Sequence, residues 1–492
     1  MLVKVTVEEA LEIVKKTGLR VCKDKETRKP LARIQNENYS DYYAIKSKKV
    51  SGYITKILID AKCKVNNFLL TNIIQRLEFE AEYESPEVET HLRIAKDEQE
   101  GIYYDLANEQ RDCVHVNKEG WKIEPTPLAF RRYSHTFSQS LPITGGKLND
   151  MFEFFNIRPE DRLLVMAWLV SCFIPEISHP ILLVTGEKGS TKTTFTKMLR
   201  NLVDPSATYQ TSIAQKMEDT LLVTSQNWCM SFDNVESLNP GVSEFLCKVV
   251  TGDVYAKRTL YTDDELTTMT IKRCILLNGI SIPIQRTDLL NRIIWIEMPK
   301  MKDGERKGES ELFEEFQKAK PKILGAIFSN LSQVLKVRPD VKSNDLHRLA
   351  DFDLYGRSIA ITMGKQESDF QYSMRQNTKK LNTFTITQDV VAQAVYTFME
   401  QHEFAPWEGT ATELLKILSH SINNKYTVMS RQWPQAPARL SEKLKSLEDE
   451  LQSVGIHVMI GHDGIKRFIK LLPTTTDESK ILQNISEISE IV

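Results

Sequence analysis

The sequence predicts an α/β protein built around a buried parallel sheet, with an α+β segment before it and helical segments after it. Three observations predict this. Ile181–Thr185, Trp228–Phe232, Cys274–Leu277 and Ile293–Met298 are short, largely apolar, β-rich runs separated by helical stretches, as strands buried on both faces read. The first run leads straight into a glycine-containing loop and then a helical pattern, Phe195, Met198, Leu199 and Leu202. The chain ends in three helical patterns and two β-runs joined by GHDG.

Composition fits that class. At about 150 residues per domain, 492 residues make roughly three domains. With 64 basic and 66 acidic side chains, the net charge of −2 excludes a protein coated in positive charge, though a local basic stripe can hide in a neutral total. The 41% hydrophobic and 26% charged content is that of an ordinary soluble globular chain. Seven scattered cysteines without a C-x-x-C pair read as reduced thiols in a cytoplasmic protein. The opening MLVKVTVEEALEIVKK carries acids inside its apolar run, unlike a signal peptide. The longest apolar run, Leu163–Pro175, is shorter than the ~20 residues that cross a bilayer, so no membrane partner is expected and the run reads as a buried helix.

Taken in order, the elements divide the chain into five segments. Residues 1–145 form an α+β accessory domain. It has an amphipathic helix at Val7–Thr17, a lysine-rich stretch (Lys46, Lys48, Lys49) and a helix near Phe68–Phe79. A small antiparallel meander follows, in which THLRIA, GIYYDL, CVHV and GWKIE are separated by DEQEG, ANEQRD and NKEG. Residues 146–300 hold the phosphate-loop core, preceded by a helical stretch. Residues 301–385 form a helical lid whose acidic start, ESELFEEF, suits a helix N-terminus. Residues 386–473 read as helix, helix, helix, hairpin, the order of a winged helix. Val390, Val391, Ala394, Val395 and Phe398 share a face, Thr410–Glu413 is a capping box, and Leu440, Leu444, Leu447, Leu451 and Val454 make one helix stopped by Gly455. Residues 474–492 are a polar, flexible tail.

The loop Gly186-Glu187-Lys188-Gly189-Ser190-Thr191-Lys192-Thr193-Thr194 carries the chemistry. Binding a nucleotide needs N–H groups curled round a phosphate, a helix N-terminus behind them, a lysine for the β- and γ-phosphates and a hydroxyl for Mg²⁺. Lys192 and Thr193 fit the last two roles. Thr191 stands where a glycine is usual, and a β-branched residue is strained at positive φ. The strand Trp228–Phe232 ends in Asp233, where a second acid should hold the Mg²⁺ water shell. Asn234 follows; it can orient a water but cannot take its proton, so the general base stays open, with Glu236 nearby. Asn278, at the end of Ile275–Leu277, fits a sensor of the γ-phosphate. Arg292 fits a finger reaching a neighbouring subunit, with Asp288 four residues earlier as an alternative partner.

Together with TGDVYAKRTLY at Thr251–Tyr261 and the strand ending in Asn278, these motifs resemble a superfamily III (AAA+) helicase, of the kind found in phages, plasmids, pathogenicity islands and cassette chromosomes as replication helicases and initiators. The resemblance is strong from Ile181 to Pro299, weakens through the lid around His347–Phe352, and is faint before Ser178. It implies a homo-hexameric ATPase ring that hydrolyses ATP with Mg²⁺ between subunits and draws single-stranded DNA through its centre, with a separate primase or replication protein as a candidate partner. It also implies a hairpin facing the channel, with YAKRTLYT and LTTMTIKR as arms and acidic Thr262–Glu265 as tip. The arm residues Lys257, Arg258, Lys272 and Arg273 would then grip DNA. In the winged helix, Arg439 and Lys443 near the start of the third helix and Lys466 and Arg467 on the wing are the candidate contacts to double-stranded DNA, with docking of a partner protein as the other reading of this surface. A second reading is an AAA+ NTPase that remodels nucleoprotein complexes without unwinding. Phe130–Tyr133 mixes aromatic and basic residues but reads first as a strand with charged rims, and the scattered His179, His347 and His402 suggest no metal site.

Overall fold

The computed structural model describes residues 2–35, 40–208, 210–214, 216–236, 238–258, 266–280, 287–300, 308–342, 344–421, 433–462 and 467–474. They form two compact units. One is the chain up to Glu236 with Glu244–Ile282 and Arg292–Ser373; the other is the chain from Met374 onward with residues 237–243 and 283–291.

The first unit opens with helix Val7–Lys16. The Thr6 hydroxyl accepts from the Glu9 N–H, and the Glu9 carboxylate accepts from the Thr6 N–H at 2.8 Å, a reciprocal cap. Strands Leu19–Asp24, Pro30–Gln35 and Ser40–Ala44 pair antiparallel, and Glu87–Val88 adds parallel to the first. Helices Lys48–Asp60 and Asn67–Tyr83 cover them, burying Val50, Ile54 and Leu58 with Ile73, Leu77 and Ala81. The lysine-rich stretch is therefore the entry to a helix, capped by Ser47, whose hydroxyl accepts from the Val50 N–H. The meander is Ile94–Lys96, Ile102–Asp105, Asp112–Asn117 and Gly120–Pro125, each strand antiparallel to the next. Thr90–His91 leaves that run and pairs with Ala129–Phe130.

The four apolar runs form one parallel sheet in the order Cys229–Phe232, Cys274–Asn278, Ile181–Thr185, Ile293–Glu297. All five residues of Ile181–Thr185 and of Cys274–Asn278 are buried, which is why these strands show no alternation. Helix Arg162–Ser171 is buried from Leu163 onward, so its apolar run is core. No helix among the described residues is long and apolar enough to cross a membrane. Helices Glu309–Val337, Ala350–Thr362 and Glu367–Gln388 follow the sheet. In the first of them the Pro321 carbonyl accepts from the Ile143 N–H at 3.0 Å, and a Cβ on Gly325 would come within 1.9 Å of the Ile143 oxygen. Only glycine allows that approach.

Lys320 on the same helix is 3% exposed, and burial, with Arg93 nearby, lowers its pKa from 10.5 to about 7. The unfolded chain holds this proton up to about pH 10.5, the folded chain only to about 7. Stability therefore rises with pH across that window, and below it the fold carries the full cost of a buried charge. Lys320→Met should stabilise the protein by roughly 2 kcal/mol more at pH 6 than at pH 9. Urea unfolding at the two pH values checks this, and equal gains at both would refute it.

In the second unit, helix Val390–Gln401 is capped by the Asp389 carboxylate, which accepts from the Val391 and Ala392 N–H groups. Thr410 and Glu413 cap helix Ala411–Ser421 reciprocally. The leucine run expected as one helix is two, Pro437–Ser446 and Glu448–Ser453, broken at Leu447. Leu440, Leu444, Leu447 and Leu451 are buried nonetheless, because the break keeps them on one side. Ile456–His462 and Arg467–Pro473 pair antiparallel, and the short strand Trp407–Gly409 adds to the second of them.

Candidate nucleotide site

Parallel strands end along one edge, and in open α/β sheets ligands bind at that carboxyl edge. Here it is formed by Gly186 after Thr185, by Asp233 after Phe232 and by Asn278, with Phe232 opposite Leu277 and Val184 opposite Asn278. The loop curls as its glycines require. Gly186 has φ +150°, and a Cβ there would meet the Met298 oxygen at 2.6 Å and the Ser190 hydroxyl at 2.8 Å; Gly189 has φ +86°. Thr191, the departure from the usual glycine, sits at φ +62° just before helix Lys192–Val203. The left-handed conformation normally given to glycine is kept, at a strain cost of about 1–2 kcal/mol. The Lys192 ammonium donates to the Gly186 oxygen at 2.7 Å, the Glu187 oxygen at 2.8 Å and the Ser190 hydroxyl at 3.3 Å, so it lies across the loop. Burial lowers its pKa, and the Asp233 carboxylate partly offsets this.

The Thr193 hydroxyl donates to the Asp233 carboxylate at 3.3 Å, joining two candidate Mg²⁺ ligands, one from the start of the loop helix and one from the end of a strand. Asn234 is exposed at φ +52°, and Glu236 is exposed beyond it. Asn278 is buried. Its amide donates to the Thr196 hydroxyl at 2.9 Å and its oxygen accepts from the Asn234 N–H at 3.3 Å, so the side chain expected to act as a sensor is held within the protein. Thr196 and Gln210 have no counterpart in the sequence reading. The Gln210 amide donates to the Thr196 hydroxyl at 2.8 Å and the Thr193 carbonyl at 2.9 Å, while the Thr196 hydroxyl also contacts the Lys192 carbonyl at 3.1 Å. One hydroxyl thereby ties the loop helix to the sensor strand. Nothing in spacing or composition marks these two residues.

Arg292 lies at the opposite edge. Its carbonyl accepts from the Ile181 N–H at 2.8 Å, at the amino end of the loop strand, and its guanidinium reaches the Cys247 sulfur at 3.8 Å. At about 3.3 Å per residue, the length of Ile181–Thr185 separates it from its own loop by more than 10 Å.

The candidate DNA-contacting residues are differently placed. The hairpin expected between the acidic and sensor strands is present as Val254–Arg258 paired with Leu266–Thr270. The side chains of Lys257 and Arg258, the tip at 262–265, and Lys466 lie outside the described residues, as does the turn at 463–466. Lys272 and Arg273 are not on the hairpin arm; they follow it, leading into the sensor strand. Arg273 turns inward and donates to the carbonyls of Thr224, Ser225 and Lys272, and burial lowers its pKa to about 10. The Lys272 ammonium donates to the Glu176 carbonyl at 2.6 Å. Two adjacent cations at a strand entry read as surface, but here the backbone carbonyls of their surroundings take them up. Arg132, from the aromatic–basic stretch, is likewise structural, ion-paired to Asp105 and Asp41. In the second unit Arg439 is exposed and pairs with Glu442 at 3.1 Å, Lys443 pairs with Asp389 at 2.6 Å, and Arg467 is exposed. Among the described residues no group of three or more His, Cys, Asp or Glu is arranged to hold a metal.

Residues 147–370 match the family of actinomycete integrative conjugative element replication proteins, and residues 391–481 match the C-terminal domain of the same RepA family. No curated protein matches. Three similar solved structures are apo forms of the NrS-1 C-terminal region. The A form is 11% identical with TM-score 0.40, covering 94% of this chain and 99% of that one. An A form of residues 305–718 is 10% identical with TM-score 0.41, at 94% and 98% coverage. A further structure of residues 305–718 is 12% identical with TM-score 0.39, at 95% and 98% coverage. The two family matches follow one another along the sequence, and on them the chain is a replication protein of a mobile genetic element.

Proposed function

We propose that this replication protein is an ATP-dependent DNA helicase and initiator, a superfamily III AAA+ enzyme acting as a hexameric ring on single-stranded DNA. The observation that carries the reading is the Thr193–Asp233 contact at the carboxyl edge of a parallel sheet, beside a glycine loop spanned by the Lys192 ammonium. These residues fit ATP and Mg²⁺. Gly186 and Gly189 leave room for a backbone cradle, Lys192 supplies a mobile cation, and Thr193 and Asp233 supply oxygen ligands of the kind Mg²⁺ takes. When bound, Mg²⁺ would neutralise charge developing on the phosphates. Lys192 would exchange its loop carbonyls for phosphate oxygens. Asn234 would orient the attacking water, with Glu236 as the nearby carboxylate, and Asn278 would hold the Asn234 backbone in place. Arg292, on the far edge of the sheet, would serve a neighbour's nucleotide. Lys257 and Arg258 would face single-stranded DNA, while Arg439, Lys443, Lys466 and Arg467 of a winged helix would meet duplex DNA.

The inward Arg273 and the acid-paired Arg439 and Lys443 favour a second reading, in which the same ATPase remodels nucleoprotein complexes without separating strands. Forked DNA distinguishes the two. The helicase reading expects strand release that requires hydrolysable ATP. DNA-stimulated hydrolysis with no strand release, across fork polarities, would favour remodelling.

A further inference from the structure

The last turn of a helix leaves four carbonyls without helical partners, and they must be met from outside. The loop helix Lys192–Val203 ends inside the protein, and side chains far earlier in the sequence meet that end. The Gln139 amide donates to the Leu202 carbonyl at 2.9 Å and the Asn201 carbonyl at 3.3 Å. The Tyr104 hydroxyl, which accepts from Gln139 at 2.8 Å, donates to the Val203 carbonyl at 3.1 Å. Arg93 donates to the Asp204 carboxylate and the Pro205 carbonyl, both at 3.0 Å, and also to the Asp105 and Phe137 carbonyls. The Asp204 carboxylate in turn accepts from Arg200 and from the N–H groups of Trp228 and Cys229, at the start of the acidic strand. Arg93, Tyr104, Gln139 and Asp204 are each 5% exposed or less.

These groups form a socket. Tyr104 belongs to the meander, Arg93 directly precedes it and Gln139 follows it; together they hold the carboxyl end of the helix whose amino end forms the phosphate loop. The helix is about 18 Å long and stiff, so fixing one end fixes where the other points. Cations at a helix C-terminus also complement its dipole. All three side chains lie before residue 147, where the family match begins. We infer that Arg93, Tyr104 and Gln139 are positioning residues for the nucleotide loop, so that the segment before residue 147 is part of the ATPase rather than an appendage to it. This rests on the ATPase reading above.

The test is Gln139→Leu in the full chain, with Tyr104→Phe as a gentler second variant that removes only the hydroxyl. Binding of a fluorescent ATP analogue, ATP turnover and amide hydrogen exchange over residues 186–203 are measured on folded protein. The expected result is a nucleotide Kd and KM raised about tenfold with kcat within twofold, in the range of coupling between separated sites. Faster exchange should appear in the loop as well as at the helix end. A role in stability alone would lower the melting temperature and the active fraction but leave Kd and KM unchanged, and that result in both variants would overturn the inference. If wild type neither binds nor hydrolyses ATP, the ATPase reading fails. The socket is then judged by exchange alone, where loop amides unchanged in both variants would overturn it.

Discussion

Lys192→Ala should bring ATP turnover to background while the circular dichroism spectrum and melting temperature stay close to wild type. The ammonium is half-buried, but its three hydrogen bonds all stay within the loop, so the fold loses little when it goes. The site loses the cation that lies across the loop, and charge-assisted contacts to phosphate are among the strongest hydrogen bonds a protein makes. The expected loss is at least about 10³-fold, as for groups that neutralise transition-state charge in phosphoryl transfer. Steady-state hydrolysis by the purified variant, against wild type on the same DNA, measures it. Turnover within a few fold of wild type would remove the ATPase assignment, and with it the helicase.

Arg292→Ala should give the second large effect, with a different signature. Arg292 sits at the amino edge of the sheet, more than 10 Å from its own loop at about 3.3 Å per residue. In the proposed ring it would act on a nucleotide held by an adjacent copy. The variant should bind ATP normally yet lose on the order of 10³-fold in turnover, the low end for arginine fingers. Mixing it with Lys192→Ala subunits should restore part of the activity, because some interfaces then pair an intact loop with an intact arginine. Mixed assemblies that form but show no recovery at any ratio would place Arg292 outside the reaction. Its carbonyl bond to Ile181 is a backbone contact and survives the substitution, so loss of fold is not expected to confuse the result.

Much of the core was legible because its signals are local. A buried strand, a glycine loop and a helix are contiguous at Ile181–Val203, and Asp233 and Asn278 each end an apolar run. The meander was legible from its turn residues. What escaped depends on distance. Thr196 and Gln210 are single polar residues that acquire meaning only when the chain folds. Arg273 reads as a surface cation until its carbonyl partners at Thr224 and Ser225 arrive from another helix. Helix Lys48–Asp60 was hidden by its lysines, although Val50, Ile54 and Leu58 follow one another at four-residue spacing and are all buried. The break at Leu447 escaped because the leucines on both sides of it still pack into one core.

The strand order of the parallel sheet sets a schedule for synthesis. Ile181–Thr185 lies between Cys274–Asn278 and Ile293–Glu297, so both its partners are made about ninety residues or more after it. At about 5–20 residues per second, the nascent chain carries this largely apolar strand, fully buried in the finished fold, unpaired for roughly 5–20 s. An unpaired apolar edge is a template for joining other chains. The segments that can shield it in that interval are those already translated: helix Arg162–Ser171 and, once Asp204 emerges, the loop helix seated against the meander. A chain that begins after the meander would meet the same interval with less of its surface covered, and its yield of soluble protein should fall even where its finished fold is sound.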